Sequence, residues 1–402
     1  MFNSDNIVVG LEIGTHKICA AVGEANERGD FTLIGLGQAK SRGVRKGEIN
    51  DLEKAQEDVR LALADAEEKA DVTIRSVWLG VTGAHIASFN NRGMQPVASV
   101  DRLITQHDLG EATKNARAVT LPPEHTILHH CRQKIYVDGF EVNDTPVGHS
   151  GARIDVDVHF IHGNTLRMQN AERAVQSMEL EVAGRVFTGL ASAQAVLTGE
   201  YKRQGALMID LGAGTTEYVL QEGAAIQHSG VLAVGGDHVT SDLAAGLDIS
   251  LMRAEQIKKT HGHAMVDPEC RGQMVPLGAS EVGLPDRSVC LEHLRRIMSV
   301  RLEEIFELIA EDVDEAASLG LARAGVFLCG GGAQIPGIEE LARRTFRLPV
   351  RIGNTQNISG NTVALGHPEF ATAIGIARYG ALKMKQEPKP VLGLKALSFL
   401  RR

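Results

Sequence analysis

The chain has 402 residues, 43% of them hydrophobic and 23% charged, ordinary values for a soluble protein with length for two or three domains. The formal charge of −8 argues against a nucleic-acid binder, which would carry a basic face. The five cysteines (Cys19, Cys131, Cys270, Cys290, Cys329) form no CxxC, disfavouring a metal or disulfide framework and fitting a reducing cytosol; no export signal and no apolar run of about 20 residues is read.

In chain order, Ile7–Ile13 predicts a buried strand, a turn, and Lys17–Gly23 as its hairpin partner, with Phe31–Ala39 as a third strand. Leu52, Ala55, Val59, Ala62 and Leu63 recur at helical spacing, predicting a helix over Asp51–Lys69, and Ser76–Gly83 returns to strand. From about Ala84 the pattern changes to a small α+β unit, with a helix near Gln106–Val119 and strict alternation from Ile154 to Phe160. Helix Leu166–Gln176, strand Glu181–Val186 and helix Gly189–Leu197 follow. The strand–turn–strand pattern then restarts at Ala206–Asp210, Glu217–Leu220 and Ala225–Val234. Helices are predicted at Asp237–Leu247 and Ser250–Lys259, and a long helical region over Arg287–Ser318. Gly325–Cys329 is a strand entering Gly330, Gly331 and Gly332, with a helix from Gly337. Glu369–Leu382 closes the body, KMKQEPKP reads as a linker, and Val391–Arg402 is a short tail.

VVGLEIGTHKICAAV and IDLGAGTTEYVL write nearly the same turn twice, with Glu12 and Asp210 198 positions apart. Such a long-period repeat predicts two similar α/β halves. A tight turn between strands presents backbone N–H groups to an anion, phosphate being the usual one, and glycine permits close approach and positive φ. The first turn offers Gly14, Thr15, His16 and Lys17; the second offers Gly212, Ala213, Gly214, Thr215 and Thr216. A carboxylate beside phosphate is accommodated by hydrated Mg²⁺, so Glu12 and Asp210 are candidate ligands to metal-bound water. The glycines at 330–332 with Gln334, and Gly235 with Gly236, are candidates for the nucleoside side of such a site. In AEQIKK, Glu255, Lys258 and Lys259 share one helix face, which suits either ribose contacts or a solvated charged surface.

These elements, in this order, resemble the actin-like ATPase superfamily. GLEIGTHK, SRGVRKGEINDLE, PVGHSGARI, FTGLASAQAVLTGE, GGDHVTSDLA, AEQIKKTHG, GGGAQIPGIEELA and FATAIGIARYG together resemble one branch, the FtsA family of bacterial cell-division proteins. The resemblance implies an actin-like α/β fold of two duplicated RNase H-like lobes around an ATP and Mg²⁺ cleft. It divides the chain into a first lobe (1A, 1–83, 164–204 and 367–382), an inserted 1C domain (84–163), a second lobe (2A, 205–235 and 305–366), a 2B subdomain (236–304), a linker (383–390) and an amphipathic membrane helix (391–402). It also implies partners: the C-terminal peptide of the tubulin-like FtsZ, further copies of the chain in a filament, and later division proteins on 1C. The implied location is the cytoplasmic face of the inner membrane at the division site. Arg287 and Arg301 are candidate contacts to the peptide carboxylates, or else plain surface arginines. This chain departs from the family in carrying Ala213 and Glu217 in the second turn, where relatives write a third glycine and an aspartate. Alanine at 213 is tolerated if φ there is negative. Strongly hydrolysing superfamily members place a glutamate or glutamine where this chain has Gly189; Gln194 is the nearest candidate, and slow hydrolysis at most is expected.

On a helical wheel of the tail, Leu392, Ala396, Leu397, Phe399 and Leu400 share an arc opposite Lys395, Ser398, Arg401 and Arg402, with Leu394 out of place. This is the layout of an interfacial helix on an anionic lipid surface. Four large apolar side chains contribute at most about 1.5–3 kcal/mol each, against about 1–2 kcal/mol per ordered residue. One tail binds weakly, and many tails on one filament bind well. Two alternatives remain at this point: a related pilus-assembly scaffold, and a small-molecule kinase using Asp155 or Asp157.

Overall fold

Two sheets of one design organise the chain. The computed structural model describes residues 6–26, 30–142, 145–278, 287–355, 358–360 and 362–386. The first lobe opens with antiparallel β1 (Ile7–Ile13), β2 (Lys17–Ala25) and β3 (Phe31–Lys40). A two-strand hairpin, β4 (Val44–Arg45) and β5 (Glu48–Ile49), leads into α1 (Leu52–Ala70). Asp51 caps α1 by accepting the Lys54 N–H, and Asp71 ends it in the left-handed conformation. Buried Ala55, Val59, Ala62 and Ala66 lay α1 against β3, where Gly37 has no side chain: a Cβ there would lie 2.2 Å from the Ala66 nitrogen. The chain returns as β6 (Ser76–Val81), parallel to β1.

The inserted unit follows as β7 (Ala87–Pro96), α2 (Gln106–Arg117), β8 (His125–Val137), β9 (Phe140–Val142) and β10 (Arg153–Asn164), in sheet order β7-β10-β8-β9. Thr105 and Asp108 form a capping box at the start of α2, which packs over Gly93 through Ala112 and Ala116. Then α3 (Thr165–Gln176), β11 (Glu181–Phe187), α4 (Thr188–Val196) and α5 (Gly199–Gln204) complete the first lobe and lead to the second.

The second lobe repeats the plan with antiparallel β12 (Ala206–Leu211), β13 (Thr216–Glu222) and β14 (Ala225–Leu232). A helical subdomain follows: α6 (Gly236–Leu247), α7 (Leu251–His261), the hairpin of β15 (Met274–Gly278) and β16 (Arg287–Cys290), and α8 (Leu291–Ala316). Next come β17 (Val326–Cys329), parallel to β12, α9 (Ile338–Phe346) and β18 (Val350–Ile352), parallel to β17. The two sheets read β3-β2-β1-β6-β11 and β14-β13-β12-β17-β18, the same order of strands by rank.

Three boundaries differ from expectation. The region from Arg287 begins as strand β16, and its helix starts only at Leu291. The 305–366 stretch does not stay with the second lobe: β19 (Ser359–Gly360) pairs with β3, and Ile358, Ala364 and Leu365 pack with Val8 and Leu33 of the first lobe. The edge of β3 offers unpaired backbone that β19 covers. Helix α10 (Thr362–Leu365) then leads to α11 (Ala371–Gln386), which packs on β1 and α4 and runs into the stretch read as linker. The tail helix at 391–402 lies outside the described residues.

The inserted unit leaves the first lobe yet docks on β14, the edge of the second lobe's sheet. Gln133 Nε2 donates to the Ile226 carbonyl at 2.7 Å and Ser88 Oγ to the Ser229 carbonyl at 2.5 Å. His159 Nε2 meets Ser229 Oγ at 2.8 Å.

Candidate nucleotide cleft

Both turns face one cavity of about 500 Å³ between the lobes. In the first, the Gly14 N–H donates to the Lys17 carbonyl at 3.1 Å; in the second, the Gly212 N–H donates to the Thr215 carbonyl at 3.0 Å. Gly14, Gly212, Gly214 and Ala213 all lie outside the left-handed region. Positive φ is therefore not why glycine stands in these turns, and Ala213 fits without strain. Close approach is the reason. A Cβ on Gly214 would sit 2.5 Å from Thr15 Oγ1 and 2.9 Å from the Lys46 backbone, so the two lobes meet at this point. Thr15 Oγ1 in turn accepts the Gly47 N–H at 3.0 Å.

The cleft floor is acidic. Glu12, Asp210 and Glu217 all line it. Asp210 Oδ2 accepts from Ser192 Oγ at 2.6 Å and Thr372 Oγ1 at 2.5 Å. Burial pushes the Glu12 carboxyl up to about 8; Lys17 opposes this, while Asp210 and Glu217 add to it. Burial, then Asp210, also raises Glu217, against hydrogen bonds from Thr82 and Thr215. Glu12 Oε2 is buried with no hydrogen-bond partner. An orphaned buried oxygen among mutually repelling carboxylates is what a divalent cation relieves. Among the described residues no three such side chains converge closely enough to ligate an ion directly. The arrangement fits Mg²⁺ that keeps its waters, with Glu12 and Asp210 as outer acceptors.

Lys17 reaches Glu369, donating to its carbonyl at 2.6 Å and its carboxylate at 3.1 Å. On the far wall, Glu255 accepts from Thr240 Oγ1 at 2.6 Å and pairs with Lys258 at 2.5 Å and Lys259 at 3.2 Å. Burial works against this carboxylate's charge, but Lys258 and Thr240 hold its pKa down at about 2. Glu255, Lys258 and Lys259 thus line the cleft, along with His16, Gly236, Gly330, Gly331, Gly332 and Gln334. Gly330 has φ +83°, and a Cβ there would strike Asp210 Oδ1 at 2.4 Å; Gly331 through Gln334 form a 3-10 turn.

Five expectations need correction or placement. Thr216 is fully buried and donates to the Val234 carbonyl at 2.8 Å, on the face of β13 away from the cleft. Gly235 does not line the cavity; it packs behind the second turn, where a Cβ would meet the Gly212 carbonyl at 2.6 Å. Gln194 is not in the cleft: its Oε1 accepts from Lys202 at 2.6 Å, two turns along α4 from the lining residue Thr188. Asp155 and Asp157 pair with Arg153 and Arg92 in the inserted sheet and leave the kinase alternative without its acid. Arg301 holds Asp242 at 2.6 Å and also Glu304, and Arg287 donates to the carbonyls of Leu247 at 2.9 Å and Asp248 at 3.1 Å. Sequence reasoning missed Thr82, Thr188, Glu369 and Thr372, single polar residues brought in from other elements, and noted Glu217 only as a departure.

Two like lobes closing on an acidic, glycine-lined cleft define an actin-like protein. The comparisons agree. The PilM-PilN type IV pilus biogenesis complex is similar over 95% of this chain and 99% of that one, with a TM-score of 0.66 at 18% identity. MreB5 of Spiroplasma citri bound to AMPPNP is similar over 96% and 98%, at 0.58 and 16%. At such identities the likeness is one of fold. A family model described as cell division protein FtsA matches residues 207–375, and one described as the SHS2 domain inserted in FtsA matches 83–162. Cell division protein FtsA of Escherichia coli K12 is 36% identical over 381 residues, 93% of this chain and 90% of that protein. That of Neisseria meningitidis serogroup B is 35% identical over 388 residues, 95% and 92%. The chain belongs to the FtsA family of cell division proteins.

Proposed function

We propose that this protein binds Mg-ATP between its lobes and serves as a filament subunit that ties the FtsZ ring to the cytoplasmic face of the inner membrane at the division site. The observation that carries the reading is the paired geometry of the turns: glycine turns from both lobes line one cavity, beside a buried carboxylate oxygen without a partner that a cation would relieve. The turns at 14–17 and 212–215 hold the phosphates. Glu12 and Asp210 hold water of the magnesium, whose charge neutralises the phosphates when bound. Glu255, Lys258 and Lys259 flank the nucleoside with Gly236 and Gly330 to Gly332. Phosphates gripped from both sides fix one lobe orientation, which a head-to-tail contact between copies can read. The helical subdomain presents Arg287 and Arg301 to an FtsZ C-terminal peptide, the inserted domain receives later division proteins, and the cationic tail meets anionic lipid.

Calorimetry of the full chain with Mg-ATP is the direct test. Binding that weakens at least tenfold on chelating magnesium is expected; no heat with any adenine nucleotide overturns the reading. The partner assignment is tested separately by pull-down with an FtsZ C-terminal peptide, where Arg287→Glu is expected to abolish capture.

A further inference from the structure

Glu217 is a cleft carboxylate that the magnesium reading does not use. It is 4% exposed and lines the cavity between the phosphate turns. Two hydroxyls hold it, and both donate to the same oxygen, Oε1. Thr215, from the second phosphate turn, does so at 2.7 Å. Thr82 does so from the first lobe, at the loop just beyond β6. Among the described residues no side chain is hydrogen-bonded to the other oxygen, Oε2. Behind the side chain stands Gly189 near the start of α4, where a Cβ would lie 3.2 Å from Glu217 Cβ and 2.7 Å from the Phe187 ring. Gly189 itself brings no side chain to that space; the acid there comes from β13.

We infer that Glu217 orients the water that attacks the terminal phosphate of bound ATP, and accepts its proton. This rests on the nucleotide reading above. As the water oxygen bonds to the terminal phosphorus, the bond from phosphorus to the bridging oxygen breaks and ADP leaves with the electron pair. The water's proton passes to Oε2 and then to solvent, leaving ADP and inorganic phosphate. Thr82 makes the arrangement conditional on the lobes. Its hydrogen bond spans the cleft, so the carboxylate is fully held only when the lobes are closed, and hydrolysis is confined to that state. Glutamine at 217 keeps both hydroxyl contacts through its amide oxygen and loses only the base.

The test measures phosphate release and Mg-ATP affinity on the full chain. Glu217→Gln is expected to lower kcat by about 100-fold or more, the usual share of a positioned base, with Mg-ATP affinity by calorimetry and melting temperature close to wild type. Thr82→Val is expected to lower kcat with a smaller effect on affinity. Gln194→Ala, outside the cleft, is expected to leave both unchanged. Turnover by Glu217→Gln at the wild-type rate overturns the inference, as does a loss of affinity that accounts for the whole loss of rate. Wild-type protein that binds Mg-ATP and releases no phosphate overturns the inference alone. Wild-type protein that binds no nucleotide overturns the underlying reading.

Discussion

Gly14 and Gly212 occupy the same place in two copies of one turn, each donating its N–H to the carbonyl three residues on, at 3.1 and 3.0 Å. A Cβ on either would press against that carbonyl, at 2.7 Å on Gly14 and 2.8 Å on Gly212. The repeat is thus one of backbone geometry, held by the need for the chain to pass close to itself.

Gly214 and Gly331 separate crowding from conformation. Gly214→Ala places its methyl 2.9 Å from the Lys46 backbone across the lobe contact, whereas Gly331→Ala meets nothing within 4 Å. Gly214→Ala is expected to destabilise the protein by about 1–3 kcal/mol and to weaken Mg-ATP binding. Gly331→Ala is expected to stay within about 0.5 kcal/mol of wild type. Urea unfolding of both variants with and without nucleotide checks this.

Glu12 gives the nucleotide-free protein a pH dependence with a defined sign. Its folded pKa of about 8 lies above the ordinary 4.5, so the folded state holds a proton that the unfolded state has lost. Stability is therefore expected to fall as pH rises from about 4.5 to about 8. Glu12→Gln removes the titration and is expected to flatten that slope, while magnesium with nucleotide offsets it in wild type. Melting temperatures at pH 6 and 8, with and without Mg-ATP, read the difference.

The inserted domain is tied to the second lobe by side chains that serve the open edge of β14. His159 is fully buried between Asn90 Oδ1 at 2.6 Å and Ser229 Oγ at 2.8 Å. His159→Ala leaves Ser229 Oγ without its ring partner and Asn90 Oδ1 with only Gln133 Nε2 at 3.2 Å, and is expected to cost about 1–3 kcal/mol. Hydrogen exchange is expected to quicken at Ile226 to Ser229 and in the inserted sheet, with the centre of the second lobe unchanged.

Removal of residues 391–402 is expected to abolish co-sedimentation with vesicles containing anionic lipid, and to leave Mg-ATP affinity unaltered. Wild-type sedimentation is expected to steepen with protein concentration, because assembled subunits display many weak anchors together. A deletion variant that sediments as wild type does would remove the anchor from the tail.

The two halves, their opening turns and most elements were legible in the sequence, because strands and turns announce themselves by local chemistry. Acid, glycine and threonine between apolar alternations suffice to mark Glu12 and Asp210. Facing is another matter. Thr215, Thr216 and Glu217 are consecutive, but side chains alternate across a strand, so Thr215 and Glu217 enter the cleft while Thr216 turns to Val234. The motif does not set that parity; the pairing of β12 with β13, Asp210 opposite Glu217, does. Likewise Thr82, Glu369 and Thr372 carry no local signature and reach the site only because distant elements converge there. The return of β19 to β3 and the seat of the inserted domain on β14 were decided the same way, by sheet edges whose open hydrogen-bonding groups are satisfied only by chain from far along the sequence.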